Sequence, residues 1–267
     1  MSSERRKKVK NKYSDKPNIF YRALARIGRF LMKIVWLPRT VYFAEKFPKE
    51  GSVMCICNHY SPLDACVIYH KLFNFQGRIA VKAEAMNNRF VGNFLTALCR
   101  AISVSRGDSD IGALREMLKE LNSGGKVLIF PEGTRNKDGK SKTLLPFKEG
   151  AVTIALKTKT RLVPTLYYCR QKPFGFKGNK LIVGDPIDLS RFYDKPIREV
   201  KDEANAYVVE KMNELRAQID EIVEKYHGKL DRYLAAHAKE LPSPDGNLEA
   251  LTDASRDGVG DGGGDRD

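Results

Sequence analysis

Two short segments of this 267-residue chain carry residue types at spacings that could do chemistry. The first is Asn58-His59-Tyr60-Ser61-Pro62-Leu63-Asp64, an imidazole with a carboxylate a few residues on. Histidine titrates near neutrality and can take a proton from an alcohol. It does so better when an acceptor holds its other nitrogen, fixing the tautomer and stabilising the imidazolium. Asp64 supplies that acceptor if the turn folds its side chain back. The second segment is Phe130-Pro131-Glu132-Gly133-Thr134-Arg135. Gly133 permits close backbone approach, Thr134 offers a hydroxyl, and Arg135 presents a fork that matches phosphate. Glu132 can orient that arginine or accept a substrate hydroxyl. Taken together, the two segments imply deprotonation of a hydroxyl on a phosphate-bearing substrate.

Other readings compete. Ser61-Pro62-Leu63-Asp64 also fits a helix start, with serine capping, proline at the first helical position and aspartate three residues after the cap. That capping box explains Asp64 without catalysis, although one carboxylate can serve both a backbone amide and an imidazole. Ser61 is a possible nucleophile, but it lacks the Gly-x-Ser-x-Gly setting and crowds His59. For the second segment, the competing reading is a polar turn with a surface ion pair.

Each segment follows an apolar run that reads as a buried strand, Ser52 to Cys57 and Lys126 to Ile129. Ligands of open α/β sheets bind at the carboxyl ends of strands, so both segments should face one crevice. Further strand candidates are Arg78 to Val81, Ala101 to Ser105, Arg161 to Tyr168 and Lys180 to Val183. Between them lie helical patterns: Pro62 to Phe73, Phe90 to Leu98, Asp110 to Leu121 and Glu149 to Lys157. A long helix follows, from Arg198 to Tyr226. This alternation predicts an α/β fold, a largely parallel mixed sheet flanked by helices. Lys82 and Arg106 each stand just past a strand candidate, where they would border the same crevice.

The formal net charge is +14, with cations crowded into the first fifty positions, while the tail from Leu241 is Gly- and Asp-rich. A basic surface suits nucleic acid, anionic lipid or an acidic carrier protein. Five cysteines, mostly inside apolar runs, read as reduced packing rather than a disulfide framework. A Cys55-x-Cys57 metal pair lacks a second cluster. The charged start shows no secretory-signal pattern, and no stretch has the usual signature of a spanning helix.

Ile19 to Leu37 instead reads as amphipathic. Phe20, Leu24, Ile27, Leu31, Ile34 and Val35 form one face, and Arg22, Arg26, Arg29 and Lys33 another. Trp36 and Tyr42 suit the headgroup level. This is the pattern of a helix lying in an anionic membrane interface; packing on its own domain is the alternative. The organisation expected is a disordered basic arm (1–16), an amphipathic membrane-docking segment (17–48), an α/β domain with a C-terminal helix (49–240) and a disordered acidic tail (241–267).

The blocks resemble the glycerolipid acyltransferase superfamily, and within it the 1-acylglycerol-3-phosphate acyltransferases. His59 and Asp64 match its His-x4-Asp signature, and Phe130 to Arg135 its Phe-Pro-Glu-Gly-Thr-Arg block. Lys82-Ala83-Glu84, Gly92 and Arg106 fit its intermediate block. Phe147-Lys148-Glu149-Gly150-Ala151 and Val163-Pro164 resemble two later ones. The chain departs at Arg89, where proline is common, and near Cys99-Arg100, where it is one residue longer.

The resemblance implies that His59, oriented by Asp64, deprotonates the hydroxyl of lysophosphatidic acid, which attacks an acyl thioester to give phosphatidic acid. Lys82, Arg106, Glu132, Gly133, Thr134 and Arg135 would hold the glycerol phosphate. No metal or cofactor is implied. The expected partners are lysophosphatidic acid, acyl-CoA or acyl carrier protein, and an anionic membrane surface, not nucleic acid. Peripheral attachment to the cytoplasmic face of the cell membrane follows. Other lysolipid or glycerol phosphate acceptors stay open, as does a non-catalytic protein that holds anionic lipid at a membrane.

Overall fold

A computed structural model of the chain describes residues 18–36, 41–60, 64–105, 110–136, 144–168 and 180–225. The basic arm, Ser61 to Leu63, Arg106, Cys169, Tyr226 and the acidic tail fall outside them, and so do the expectations placed there.

Seven strands form one mixed sheet: β1 (Val41–Tyr42), β2 (Val53–Cys57), β3 (Arg78–Lys82), β4 (Ile102–Val104), β5 (Lys126–Ile129), β6 (Arg161–Tyr168) and β7 (Lys180–Val183). Their order is β1-β7-β6-β2-β5-β3-β4, and every pairing is parallel except β6 with β7. Six of these strands fall within a residue of the sequence expectation, because each is an apolar run closed by turn residues. β1 was not expected. Two residues are too short to show an alternating pattern, and they are held by pairing with Leu181 and Ile182 of β7. This places Tyr42 in the sheet, buried, with the Lys180 ammonium 5.6 Å from its ring centre. The expectation of Tyr42 at a membrane headgroup level is therefore corrected.

The chain leaves β2 and β5 in opposite directions. From β2 it passes through α2 (Asp64–Lys71) to β3, on the far side of β5, and through α3 (Arg89–Cys99) to β4. Helix α4 (Ile111–Asn122) returns it to β5, and α5 (Gly150–Thr158) carries it back across β2 to β6. Right-handed crossovers then put α2 and α3 on one face and α4 and α5 on the other. The second face holds the main core. Met54, Ile56, Val127 and Leu162 of the sheet meet Met117 and Leu121 of α4 and Val152 and Ala155 of α5. Val200, Ala204, Val208 and Met212 of α6 (Ile197–Lys225) join them at helical spacing. Cys55 and Cys57 point the other way and are buried too, as in a central parallel strand covered on both faces. The point where β2 and β5 run side by side with opposite exits is a topological switch point, the usual ligand position in an open α/β sheet.

All this belongs to the first of two compact units, residues 1–213; in the second, the described residues continue α6 from Glu214 to Lys225. Arg216 and Asp220 form an ion pair one turn apart there, at 3.3 Å.

Helix α1 (Ile19–Trp36) packs on α2 and α3. Ala25 and Met32 are buried with Leu98, against Phe94, Ala97, Phe75 and Cys66. Arg29 turns inward. Its Nη2 donates to the carbonyls of Ala97 (3.0 Å) and Leu98 (2.9 Å), and its Nε donates to Leu98 (3.2 Å). Carbonyls in the last turn of a helix lack intrahelical partners, so Arg29 caps the end of α3. The expectation that Arg29 shares a solvent-facing cationic face with Arg22, Arg26 and Lys33 is corrected; the other three are exposed. Phe20, Ile27, Phe30 and Leu31 also remain exposed, Phe30 at 62%. One face of α1 thus packs on the domain while an apolar stripe faces outward.

Candidate active site

The site is built where β2 and β5 end. β2 pairs with β6 as far as Cys57 opposite Thr165. At the next residue the backbone leaves the sheet, and a side chain takes over its bonding. Asn58, 1% exposed, accepts from the Tyr167 amide at 2.7 Å and donates from Nδ2 to the Tyr167 carbonyl at 3.0 Å. A buried backbone pair left open here would cost about 1–3 kcal/mol per group, so the amide clamp stabilises the release of the chain. The freed His59 carbonyl accepts from the Asn136 amide at 2.7 Å, which ties this turn to the one after β5.

His59 is half-buried and lies flat on Phe130, with ring centres 4.0 Å apart and planes at 20°. Its Nδ1 is 3.2 Å from Oδ2 of Asp64. Asp64 is fully buried at the start of α2, and the same Oδ2 accepts the Tyr60 amide at 2.7 Å. A carboxylate only accepts, so Nδ1 carries the proton and Nε2 keeps the lone pair. The N-terminal end of α2 favours the negative charge. Asp64 therefore serves a backbone amide and the imidazole at once. That amide is Tyr60's, whereas the capping box expected at Ser61 lies outside the described residues.

The turn after β5 is different in kind. Gly133 has φ +64°, a left-handed conformation that L side chains rarely adopt, and its amide donates to the Phe130 carbonyl at 3.0 Å. Glu132 is buried, whereas Thr134 and Arg135 are exposed. Arg135 makes no ion pair among the described residues, so Glu132 does not hold it directly. Lys82 ends β3, which runs beside β5, and so stands at the same carboxyl edge of the sheet.

The cysteines beneath the site are held as thiols. Burial pushes Cys55 up to about 12, against a bond with Thr165 that lowers it. Burial also raises Cys57 well above its ordinary value, helped by the nearby Cys55, Asp64 and Glu132. Neither offers a thiolate nucleophile near neutral pH.

Asn58 and Phe130 stood within the quoted segments without a role. The signal for Asn58 is a polar side chain directly after an unbroken apolar strand, at the place where the ladder would otherwise continue. Nothing in the local sequence marks the stacking of Phe130 on His59, because that contact joins two strands distant in the chain.

Residues 38–168 match the family model described as Acyltransferase. The 1-acyl-sn-glycerol-3-phosphate acyltransferase of Bacillus subtilis is 29% identical over 185 residues, 68% of this chain and 90% of that protein. The enzyme of the same name from Borreliella burgdorferi is 30% identical over 152 residues, 56% of this chain and 58% of its own length. Among solved structures, the 1-acyl-sn-glycerophosphate (LPA) acyltransferase PlsC of Thermotoga maritima superposes with a TM-score of 0.53 at 22% identity, covering 74% of this chain and 89% of that one. The acyltransferase match thus spans residues 38–168, and the chain is an acyltransferase.

Proposed function

We propose that this enzyme transfers a fatty acyl group from a thioester donor to the free hydroxyl of 1-acylglycerol-3-phosphate, giving phosphatidic acid. The observation that carries this is the His59–Asp64 pair set against the Gly133–Arg135 turn at the switch point. Nε2 of His59 takes the proton of the acceptor hydroxyl as the oxygen attacks the thioester carbonyl. The tetrahedral intermediate collapses, the carbon–sulfur bond breaks, and the departing thiolate recovers the proton from the imidazolium. Asp64 holds Nδ1 and balances the transient charge. Arg135, Thr134 and the amides around Gly133 hold the acceptor phosphate, with Lys82 at the edge; Arg106 belongs to this set by its place in the sequence alone. The relatives named for this reaction support the acceptor.

The substrates are amphiphiles, and the outward stripe of α1 suits a membrane surface. Phe20, Ile27, Phe30 and Leu31 would bury apolar area, and Arg22, Arg26 and Lys33 would face anionic headgroups. Among the described residues no helix is long and apolar enough to cross a membrane. Peripheral attachment to the cytoplasmic face is the arrangement we infer.

The test is formation of labelled phosphatidic acid from lysophosphatidic acid by the purified chain, with oleoyl-CoA or oleoyl-acyl carrier protein as donor. Product with either donor supports the reading and identifies the donor. Binding of lysophosphatidic acid without product from either one would favour the non-catalytic lipid-holding alternative.

A further inference from the structure

Lys148 lies in the chain well away from the two segments that form the site, yet the fold lays it against the Gly133 turn. Its backbone amide donates to the Pro131 carbonyl at 2.9 Å, which fixes where the side chain starts. A Cβ built on Gly133 would stand 2.8 Å from Cε, 3.1 Å from Cδ and 3.2 Å from Nζ of Lys148. The lysine stem and ammonium therefore fill the space the missing glycine side chain leaves. Gly133 is needed here twice, for its φ of +64° and for the approach of Lys148.

The ammonium is exposed and has no ion pair among the described residues. Glu149, its neighbour in the chain, is engaged instead by Lys201. Arg135, two positions past Gly133, is likewise exposed and without an ion pair among the described residues. Two uncompensated cations thus flank one turn at the carboxyl end of the sheet. A phosphate monoester carries about −1.5 to −2 charges near pH 7, more than one cation matches. Arginine offers a bidentate fork, and lysine a compact point charge that can take a remaining oxygen.

Building on the proposed acceptor, we propose that Lys148 is a second cation on the acceptor's phosphate, and that it makes the site prefer a phosphate monoester over a singly charged diester. Lys148 is a binding residue in this account and moves no proton.

The experiment uses the full chain, its Lys148→Ala and Lys148→Arg variants, and two readouts. The first is steady-state acylation of lysophosphatidic acid and of lysophosphatidylglycerol, a diester, with oleoyl-CoA. Lys148→Ala should raise KM for lysophosphatidic acid by about 10- to 100-fold, the loss expected for one charged hydrogen bond. The KM for oleoyl-CoA should stay unchanged, and the preference for monoester over diester should fall by a similar factor. Lys148→Arg should recover most of the preference. A Gly133→Ala/Lys148→Ala double variant should be no worse than Gly133→Ala alone, because the methyl group already displaces the lysine. The second readout, calorimetric binding of glycerol 3-phosphate, needs no acyl transfer and should weaken in Lys148→Ala. An unchanged monoester preference together with unchanged glycerol 3-phosphate binding would overturn the assignment, as would an effect confined to oleoyl-CoA. If the native chain bound glycerol 3-phosphate through Lys148 but acylated no lysophosphatidic acid, the phosphate site would stand and the proposed reaction would fail.

Discussion

The turn after β2 and the turn after β5 lie side by side in the same sheet, but they are built in opposite ways. After β2 the chain is fixed by side-chain and backbone bonds: Asn58 clamps Tyr167, the His59 carbonyl takes Asn136, and Asp64 holds both Tyr60 and the imidazole. After β5 Glu132 and Asn136 are buried, but Thr134 and Arg135 between them stand in solvent. The difference matches what each proposed task needs. A general base must meet its proton within hydrogen-bond reach, and an error of about 1 Å can cost on the order of 100-fold, so its support has to be rigid. A phosphate grip works through charge, which falls slowly with distance, and long side chains can close on the anion as it arrives. On the proposed roles, one turn is preorganised and the other waits for its ligand.

Substitutions should therefore break the first turn in kcat and the second in KM. The largest effect belongs to His59→Ala, which should lower kcat by about 100- to 10,000-fold while the far-ultraviolet circular dichroism and melting stay near native. Asp64→Asn should follow, with kcat down by at least about 100-fold. The amide oxygen still accepts from Tyr60 but no longer balances the imidazolium. Full activity in Asp64→Asn would return Asp64 to helix capping alone. Asn58→Ala should act on both stability and rate. It strips the Tyr167 amide and carbonyl of their partner at about 1–3 kcal/mol each, which calorimetry should show as a melting point lower by several degrees. Its kcat should fall with little change in either KM. Arg135→Lys should raise KM for lysophosphatidic acid several-fold and leave the donor's KM alone, since the charge stays and the fork is lost.

The same comparison between fixed and waiting groups recurs in α1. Replacing Arg22, Arg26 and Lys33 with glutamine should weaken sedimentation with anionic vesicles by about 1 kcal/mol per cation, in a chain lacking residues 1–16. Arg29→Gln should leave vesicle binding intact and lower the melting temperature instead, because its guanidinium is committed to the end of α3. Equal loss of vesicle binding in both variants would mean that Arg29 leaves α3 to reach lipid.

Much of the first turn was legible in the sequence, because its chemistry is local: His59, Asp64 and the strand before them lie within a dozen residues. The strands were legible for a related reason, since buried parallel strands are short apolar runs closed by polar turns. What stayed hidden depends on contacts between distant segments. The Asn58 clamp spans β2 to β6, Phe130 under His59 spans β2 to β5, and Arg29 reaches from α1 to α3. Helical periodicity placed Arg29 with the other cations of its helix, and only the packing of α1 on α3 shows that it points inward. β1 escaped because two residues carry no pattern at all.

Thiol release from oleoyl-CoA, followed in the pre-steady state with and without lysophosphatidic acid, tests the central claim most directly. Direct transfer to a hydroxyl deprotonated by His59 predicts no burst without acceptor, only slow hydrolysis, and rapid release once lysophosphatidic acid is present. A burst equal to the enzyme concentration in the absence of acceptor would reveal an acyl group carried on the protein and would contradict the account.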